Sequence, residues 1–137
     1  LIKSVTHADG TVETPQEGSS TRVIDESVAD QVKNAMESVA EGYSKVVNVK
    51  GYRIAAKTGT AEVAGSDGRL TSIVADFAGM IPADNPRFAI TVIMKDPQGT
   101  YGGMTAGPVF AKIGEFLMQK YNVPTSSPRN DAIAVDW

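Results

Sequence analysis

Four consecutive residues, Lys57-Thr58-Gly59-Thr60, carry the densest chemistry in this chain. Lys57 puts a cation on a flexible stem, able to bind an anion or to relay a proton where its surroundings tune it. Thr58 and Thr60 are two positions apart, so an ideal strand sets both hydroxyls on one face. Two hydroxyls beside an ammonium make a carboxylate receptor. Gly59 has no side chain, so a substrate backbone can lie against the strand. The Thr60 backbone N–H is then available to a developing oxyanion. Strict alternation places Lys57 on the face opposite the threonines, and only the twist of an edge strand lets all three converge.

The elements around the motif must supply such a strand. Tyr52-Arg53-Ile54-Ala55-Ala56 is an apolar, extended run that leads into it, opened by Gly51. Ser72 to Met80 and Arg87 to Lys95 are two further strands, the second with Phe88, Ile90, Val92 and Met94 on one face. Ala83-Asp84-Asn85-Pro86 between them is short enough to make the pair antiparallel. Upstream, Leu1 to Thr14 reads as a hairpin about His7-Ala8-Asp9-Gly10, and residues 15–21 read as a polar linker. Asp25 to Glu41 is a helix with Asp25 at its cap, an apolar stripe of Val28, Val32, Ala35, Met36 and Val39, and Gly42 placed for a left-handed stop. Gly99 to Gly107 reads as a glycine-rich loop. Pro108 starts a last helix with the stripe Val109, Phe110, Ile113, Phe116 and Leu117, stopped by Asn122 and Pro124. The remainder to Trp137 is rich in Ser, Pro and Asp and is expected to be loosely ordered. The predicted class is α+β, an antiparallel sheet flanked by helices.

Composition narrows the function. The 137 residues include no cysteine and carry a net charge of −3, with 42% hydrophobic and 21% charged residues. Without clustered Lys and Arg, nucleic acid is not an expected partner. No thiolate metal site or disulfide is possible. No apolar run approaches the ~20 residues of a membrane span. The chain begins at Leu1 in what reads as mid-strand, which points to part of a longer polypeptide.

A strand ending in K-T-G belongs with S-x-x-K and S-x-N elements in the serine acyl-transferases that bind penicillin. The flanks make the match more specific. Gly51 through Glu62, Asp76 through Pro86, Tyr101-Gly102-Gly103 and Ala106-Gly107-Pro108-Val109-Phe110, in this order, resemble the transpeptidase domain of class B penicillin-binding proteins, especially the septal, cell-division type. The resemblance covers residues 1–121, and 122–137 are set apart as a tail. It implies the penicillin-binding, serine β-lactamase-like fold. It also implies a peptidoglycan D,D-transpeptidase on the outer face of a bacterial cell membrane, anchored by a segment not in this sequence.

Residue by residue, the resemblance makes Lys57 part of the proton relay. Thr58 and Thr60 would hold the terminal carboxylate of a D-Ala-D-Ala stem peptide or a β-lactam. The Thr60 N–H would be one oxyanion donor, and Gly59 would keep the cleft edge open. No metal or organic cofactor is implied. The partners implied are the stem peptide, the remainder of the same domain and membrane proteins of the division complex. Two departures from the family pattern stand out: Ala56 in place of a second glycine before the lysine, and Asp76 where a small polar residue is usual. Asp76 is expected to face solvent or to pair with a base.

No lysine here has a serine three residues before it, and no asparagine has a serine two before it. The nucleophile-bearing half is therefore expected elsewhere in the polypeptide, and these residues alone are expected not to acylate. Two alternatives share the K-T-G strand: a serine β-lactamase or D,D-carboxypeptidase, and a non-catalytic β-lactam-sensing domain. Of the weaker candidates, His7 reads as a solvated turn residue, Asp25, Glu26 and Asp30 as surface charges at a helix start, and Asp67-Gly68 as a hairpin tip. Met94, Met104 and Met118 read as ordinary core or loop residues. The glycines of Tyr101-Gly102-Gly103 either border the cleft or merely turn the chain.

Overall fold

The computed structural model describes residues 3–14, 21–98 and 101–133. Chain order is β1 (Val5–Thr6), β2 (Val12–Glu13), α1 (Glu26–Gly42), β3 (Ala55–Ala64), β4 (Leu70–Ile81), β5 (Phe88–Lys95), α2 (Gly102–Thr105) and α3 (Gly107–Lys120). It is an α+β arrangement of the expected class. β1 and β2 pair as the expected hairpin, with Gly10 at φ +84° closing the turn. Leu1 and Ile2 of that reading, and residues 15–20 of the linker, lie outside the described residues.

β3, β4 and β5 form one antiparallel sheet in that order, so β3 is an edge strand among the described residues. The alternation of side chains decides which face is packed. Ala75, Phe77, Gly79 and Ile81 of β4 point to the helices, and Val92 and Ile90 of β5 stand opposite Phe77 and Gly79. Ala56 of β3 stands opposite Gly79 on the same face. Its methyl fits because Gly79 has none: a Cβ on Gly79 would lie 2.6 Å from that methyl. Phe77 is the centre of the core, edge-on to Phe110 of α3 with ring centroids 5.0 Å apart. Phe77, Phe110, Ile81 and Met118 are the largest fully buried side chains.

The helices depart from the sequence expectation in informative ways. Val28 and Val32 of the α1 stripe are 45% and 51% exposed, while Glu37, Ser38 and Ala40 are buried. Within these residues α1 is packed along its C-terminal half, where Glu37, Ser38 and Ala40 are buried and Met36 and Val39 of the stripe half-buried. Asp25 occupies the cap position but makes no side-chain capping bond. Gly42 is the last helical residue instead of a left-handed stop, and the Tyr43 N–H closes the helix on the Ala40 carbonyl. In α3, Phe110 is buried and Val109 and Leu117 half-buried, but Ile113 and Phe116 are exposed. From Tyr101 on, the glycine-rich loop is partly helical, since α2 lies within it; Gly99 and Thr100 of that reading lie outside the described residues. No helix among the described residues is long and apolar enough to cross a membrane.

The tail is the largest correction. Residues 125–133 are not loose: they strap the molecule together, and residues 134–137 of that reading lie outside the described residues. Ser126 Oγ donates to Asp84 Oδ1 at 2.7 Å, the Ser127 N–H donates to Asp84 Oδ2 at 2.9 Å, and the Arg53 N–H donates to Ser126 Oγ at 3.0 Å. Further on, the Arg129 guanidinium donates to the Asn34 carbonyl at 3.1 Å, to the Asn34 side-chain oxygen and to Ser38 Oγ at 2.9 Å. It also lies within ion-pair distance of Glu37 and Glu41, without hydrogen-bond alignment to either. Arg53 meets Glu37 in a two-pronged pair, Nε to Oε1 at 2.5 Å and Nη2 to Oε2 at 2.8 Å. A buried carboxylate persists only when so compensated. Two arginines from distant parts of the chain hold α1 against the segment that leads into β3, Arg53 standing four residues before Lys57.

Candidate active site

The four motif residues occupy the first half of β3, where burial gives way to exposure: Ala55 and Ala56 are fully buried, Lys57 is exposed, Thr58 and Gly59 are half-buried, and Thr60 is exposed. Thr58 stands opposite Phe77 and Thr60 opposite Ala75, so both hydroxyls lie on the helix-covered face. Lys57, opposite Ala78, starts from the other face. Its side chain crosses the free edge. Its ammonium donates to the Thr58 carbonyl at 2.7 Å and to Thr58 Oγ1 at 3.3 Å. The cation and the first hydroxyl therefore meet, and the second hydroxyl shares the face of the first. This convergence needs an edge strand, because a neighbouring strand would occupy the Thr58 carbonyl.

The same bond shows how the backbone is turned. The Thr58 carbonyl points to the free side of β3. Peptide groups repeat their direction every second residue, so the Thr60 N–H faces the free side too. An N–H, two hydroxyls and an ammonium thus border one open strip. That array can hold a carboxylate and, one peptide away, stabilise an oxyanion.

Gly59 is opposite Asp76, and the space its side chain would fill is taken by the Asp76 carboxylate: a Cβ on Gly59 would lie 2.2 Å from Asp76 Oδ2. Asp76 is half-buried and forms no ion pair among the described residues. It is neither fully solvent-facing nor paired with a base. Gly59 therefore makes room on the face opposite the threonines as well as along the edge.

Gly102 is the residue whose role the sequence left open, and it sits at the site. It is buried, and its N–H donates to Thr60 Oγ1 at 3.2 Å. A Cβ there would lie 2.2 Å from the Asp76 carbonyl oxygen and 2.3 Å from that of Gly59. Only a glycine lets α2 press on the β3–β4 ladder. The bond fills an acceptor position on the Thr60 hydroxyl, so that its proton is directed outward. Gly103 packs on the Tyr43 ring, where a Cβ would meet Cε1 at 2.3 Å. Gly102, Gly103, Ala106 and Gly107, closely spaced small residues, are the sequence signal for such close packing. For Arg129 no comparable signal exists, since it sits in an aperiodic polar stretch.

The remaining candidates are peripheral. His7 is exposed in its turn, with Nε2 3.4 Å from Glu13. Asp30 pairs with Lys33 at 2.9 Å on the surface of α1. Asp67-Gly68 is a hairpin tip, with Gly68 at φ +77°. Met118 is core, Met94 half-buried and Met104 exposed. A depression of about 190 Å³ lined by Glu37, Glu41, Asn48 and Arg53, among others, contains none of the motif residues. The candidate site is an open strand edge.

An antiparallel sheet packed by helices, with a lysine, two threonine hydroxyls and a glycine-pinned helix at one strand edge, defines an α+β domain with a polar strand-edge site. The chain belongs to the penicillin-binding protein transpeptidase family, whose domain description matches residues 1–115. Among curated relatives, it is 44% identical over 107 residues to the peptidoglycan D,D-transpeptidase FtsI of Escherichia coli, covering 74% of this chain and 18% of that protein. It is 35% identical over 140 residues to the penicillin-binding protein PbpB of Mycolicibacterium smegmatis, covering 92% of this chain and 22% of that one. Among solved structures, a peptidoglycan synthetase from Bifidobacterium adolescentis superposes with a TM-score of 0.79 at 67% identity, over 98% of this chain and 25% of that one. Penicillin-binding protein 3 of Mycobacterium tuberculosis, complexed with ampicillin, gives a TM-score of 0.72 at 30% identity, over 95% of this chain and 32% of that one. The chain thus spans only about a fifth to a third of these relatives.

Proposed function

We propose that these residues are the K-T-G-T-bearing part of a peptidoglycan D,D-transpeptidase that cross-links stem peptides through a serine acyl-enzyme. The observation that carries this reading is the meeting of the Lys57 ammonium with the Thr58 hydroxyl on an open strand edge, with Thr60 held on the same face by Gly102. The serine comes from a part of the polypeptide outside these residues. It attacks the carbonyl between the two D-alanines, the free D-Ala leaves, and an amine of a second stem peptide displaces the serine. Thr58 and Thr60 hold the terminal carboxylate of the donor. The Thr60 N–H stabilises the oxyanion of each tetrahedral intermediate. Lys57 passes protons to and from the serine-bearing elements that face it. A β-lactam presents the same carboxylate and carbonyl and acylates the same serine. Work at the division septum, on the outer face of the cell membrane beside other division proteins, follows from the septal-type resemblance.

The test is covalent labelling of the native-length protein with a fluorescent penicillin, read on a denaturing gel. The expected result is a labelled band that unlabelled penicillin competes away. The isolated residues 1–137 should give no band. Thr60→Ala removes one hydrogen bond to a charged group, about 1.5–3 kcal/mol, and should slow second-order acylation about 10- to 150-fold. Its N–H remains, so oxyanion stabilisation persists. A native-length protein that is never labelled refutes the reading. Thr60→Ala labelling within twofold of the parent refutes the role of that hydroxyl.

A further inference from the structure

The K-T-G-T face of β3 does not end at Thr60. Glu62 follows two residues on, opposite Ile73, and lies on the same face as Thr58 and Thr60. It is exposed, and it forms no ion pair among the described residues. At about 3.3 Å per strand residue it stands roughly 7 Å beyond the Thr60 hydroxyl.

Burial along β3 favours one direction for an extended ligand anchored at the threonines. Upstream the edge is closed. Ala55 and Ala56, the two residues just before Lys57, are fully buried, backbone included. Downstream, Ala61 to Ala64 are all exposed. A ligand with its carboxylate at Lys57, Thr58 and Thr60 therefore lays the rest of its length past Glu62.

We infer that Glu62 is a charge-selecting residue: it favours donors with a free ammonium in the part that lies along the end of β3, and disfavours donors with a second carboxylate there. This rests on the acyl-transfer reading and deepens it by naming a substrate class, stem peptides and β-lactams with a cationic group beside the acylated carbonyl. A lone carboxylate about 7 Å from a unit charge, in a largely solvated setting, alters binding by a few-fold at low ionic strength, and salt weakens the effect.

Three penicillins of one scaffold separate the terms: benzylpenicillin, its α-amino form ampicillin and its α-carboxy form carbenicillin. Second-order acylation rates are measured on the native-length protein, its Glu62→Gln variant and its Glu62→Lys variant, at low and high salt. The expected result for Glu62→Gln is a three- to tenfold fall in the ampicillin-to-carbenicillin rate ratio. Glu62→Lys should lower it further, benzylpenicillin should stay within about twofold of the parent, and the differences should shrink at high salt. An unchanged ratio in both variants overturns the inference while leaving the acyl-transfer reading intact. Failure of all three penicillins to acylate the parent overturns that reading, and the inference with it.

Discussion

Replacing Gly102 with alanine puts the contact between α2 and the β3–β4 ladder to a direct test. The new methyl would begin 2.2 Å from the Asp76 carbonyl oxygen and 2.3 Å from that of Gly59, both backbone atoms that cannot swing aside. Relief requires α2 and the sheet to separate by about 1 Å, an overpacking cost of roughly 1–3 kcal/mol. The 3.2 Å bond from the Gly102 N–H to Thr60 Oγ1 then stretches past the ~3.5 Å limit and is lost, for a further ~0.5–1.5 kcal/mol. A total of about 2–4 kcal/mol lowers the melting temperature of a domain of this kind by roughly 5–15 °C. Thr60, no longer held, should lose most of its contribution to carboxylate binding, about tenfold in acylation rate. Met104→Ala is the control: it lies in the same helix but is 58% exposed, and should change stability by no more than ~0.5 kcal/mol. Differential scanning fluorimetry and fluorescent-penicillin kinetics on the native-length protein read both effects. Gly102→Ala with parental melting and acylation within twofold would refute the tight contact between α2 and β3.

Two other outcomes follow from the strap. Arg129→Met removes a guanidinium that is 6% exposed from beside Glu37, 3% exposed, while leaving the two-pronged Arg53–Glu37 pair. Breaking a buried pair costs ~3–5 kcal/mol, and the surviving Arg53 should reduce this to about 2–3 kcal/mol in urea unfolding; a loss below 0.5 kcal/mol would mean the strap carries no load. For Asp84, partial burial pushes the carboxyl upward, but bonds from Ser126 and Ser127 and the nearby Arg53 charge outweigh it and hold it below the usual carboxylate range. A carboxyl depressed in the folded state stabilises above its unfolded pKa and loses that contribution as pH falls through the folded value. Stability should therefore decline below about pH 4, and less steeply in Asp84→Asn; identical acid limbs for parent and variant would count against the Asp84 anchor.

The K-T-G-T strand, its two partners and their antiparallel order were legible in the sequence because each is a local pattern. Apolar residues alternate along β5, short turns with Pro, Asp and Asn join the strands, and the motif closes an apolar run. The predicted shared face of Phe88, Ile90, Val92 and Met94 rests on strand geometry alone, and it is the face that packs in the structure. Periodicity also located both long helices, but it did not reveal the buried ion pairs of α1. Those pairs join Glu37 to Arg53 and Arg129, residues 16 and 92 positions away in sequence, and no local pattern encodes a partner so distant. Residues 125–133 of the tail were misread for the same reason: their order comes from individual bonds to Asp84, Asn34 and Ser38, not from any repeat.

At the site, the sequence determined the chemistry: an ammonium, two hydroxyls on one strand face and a residue without a side chain. Only the tertiary structure decided that β3 is an edge, so that Lys57 can cross to Thr58, and that Gly102 reaches Thr60 from 42 residues away. Residue type and spacing fix what groups are present and which face of an element they share. Whether an edge is free, and which backbone presses against it, depends on contacts between segments far apart in the chain.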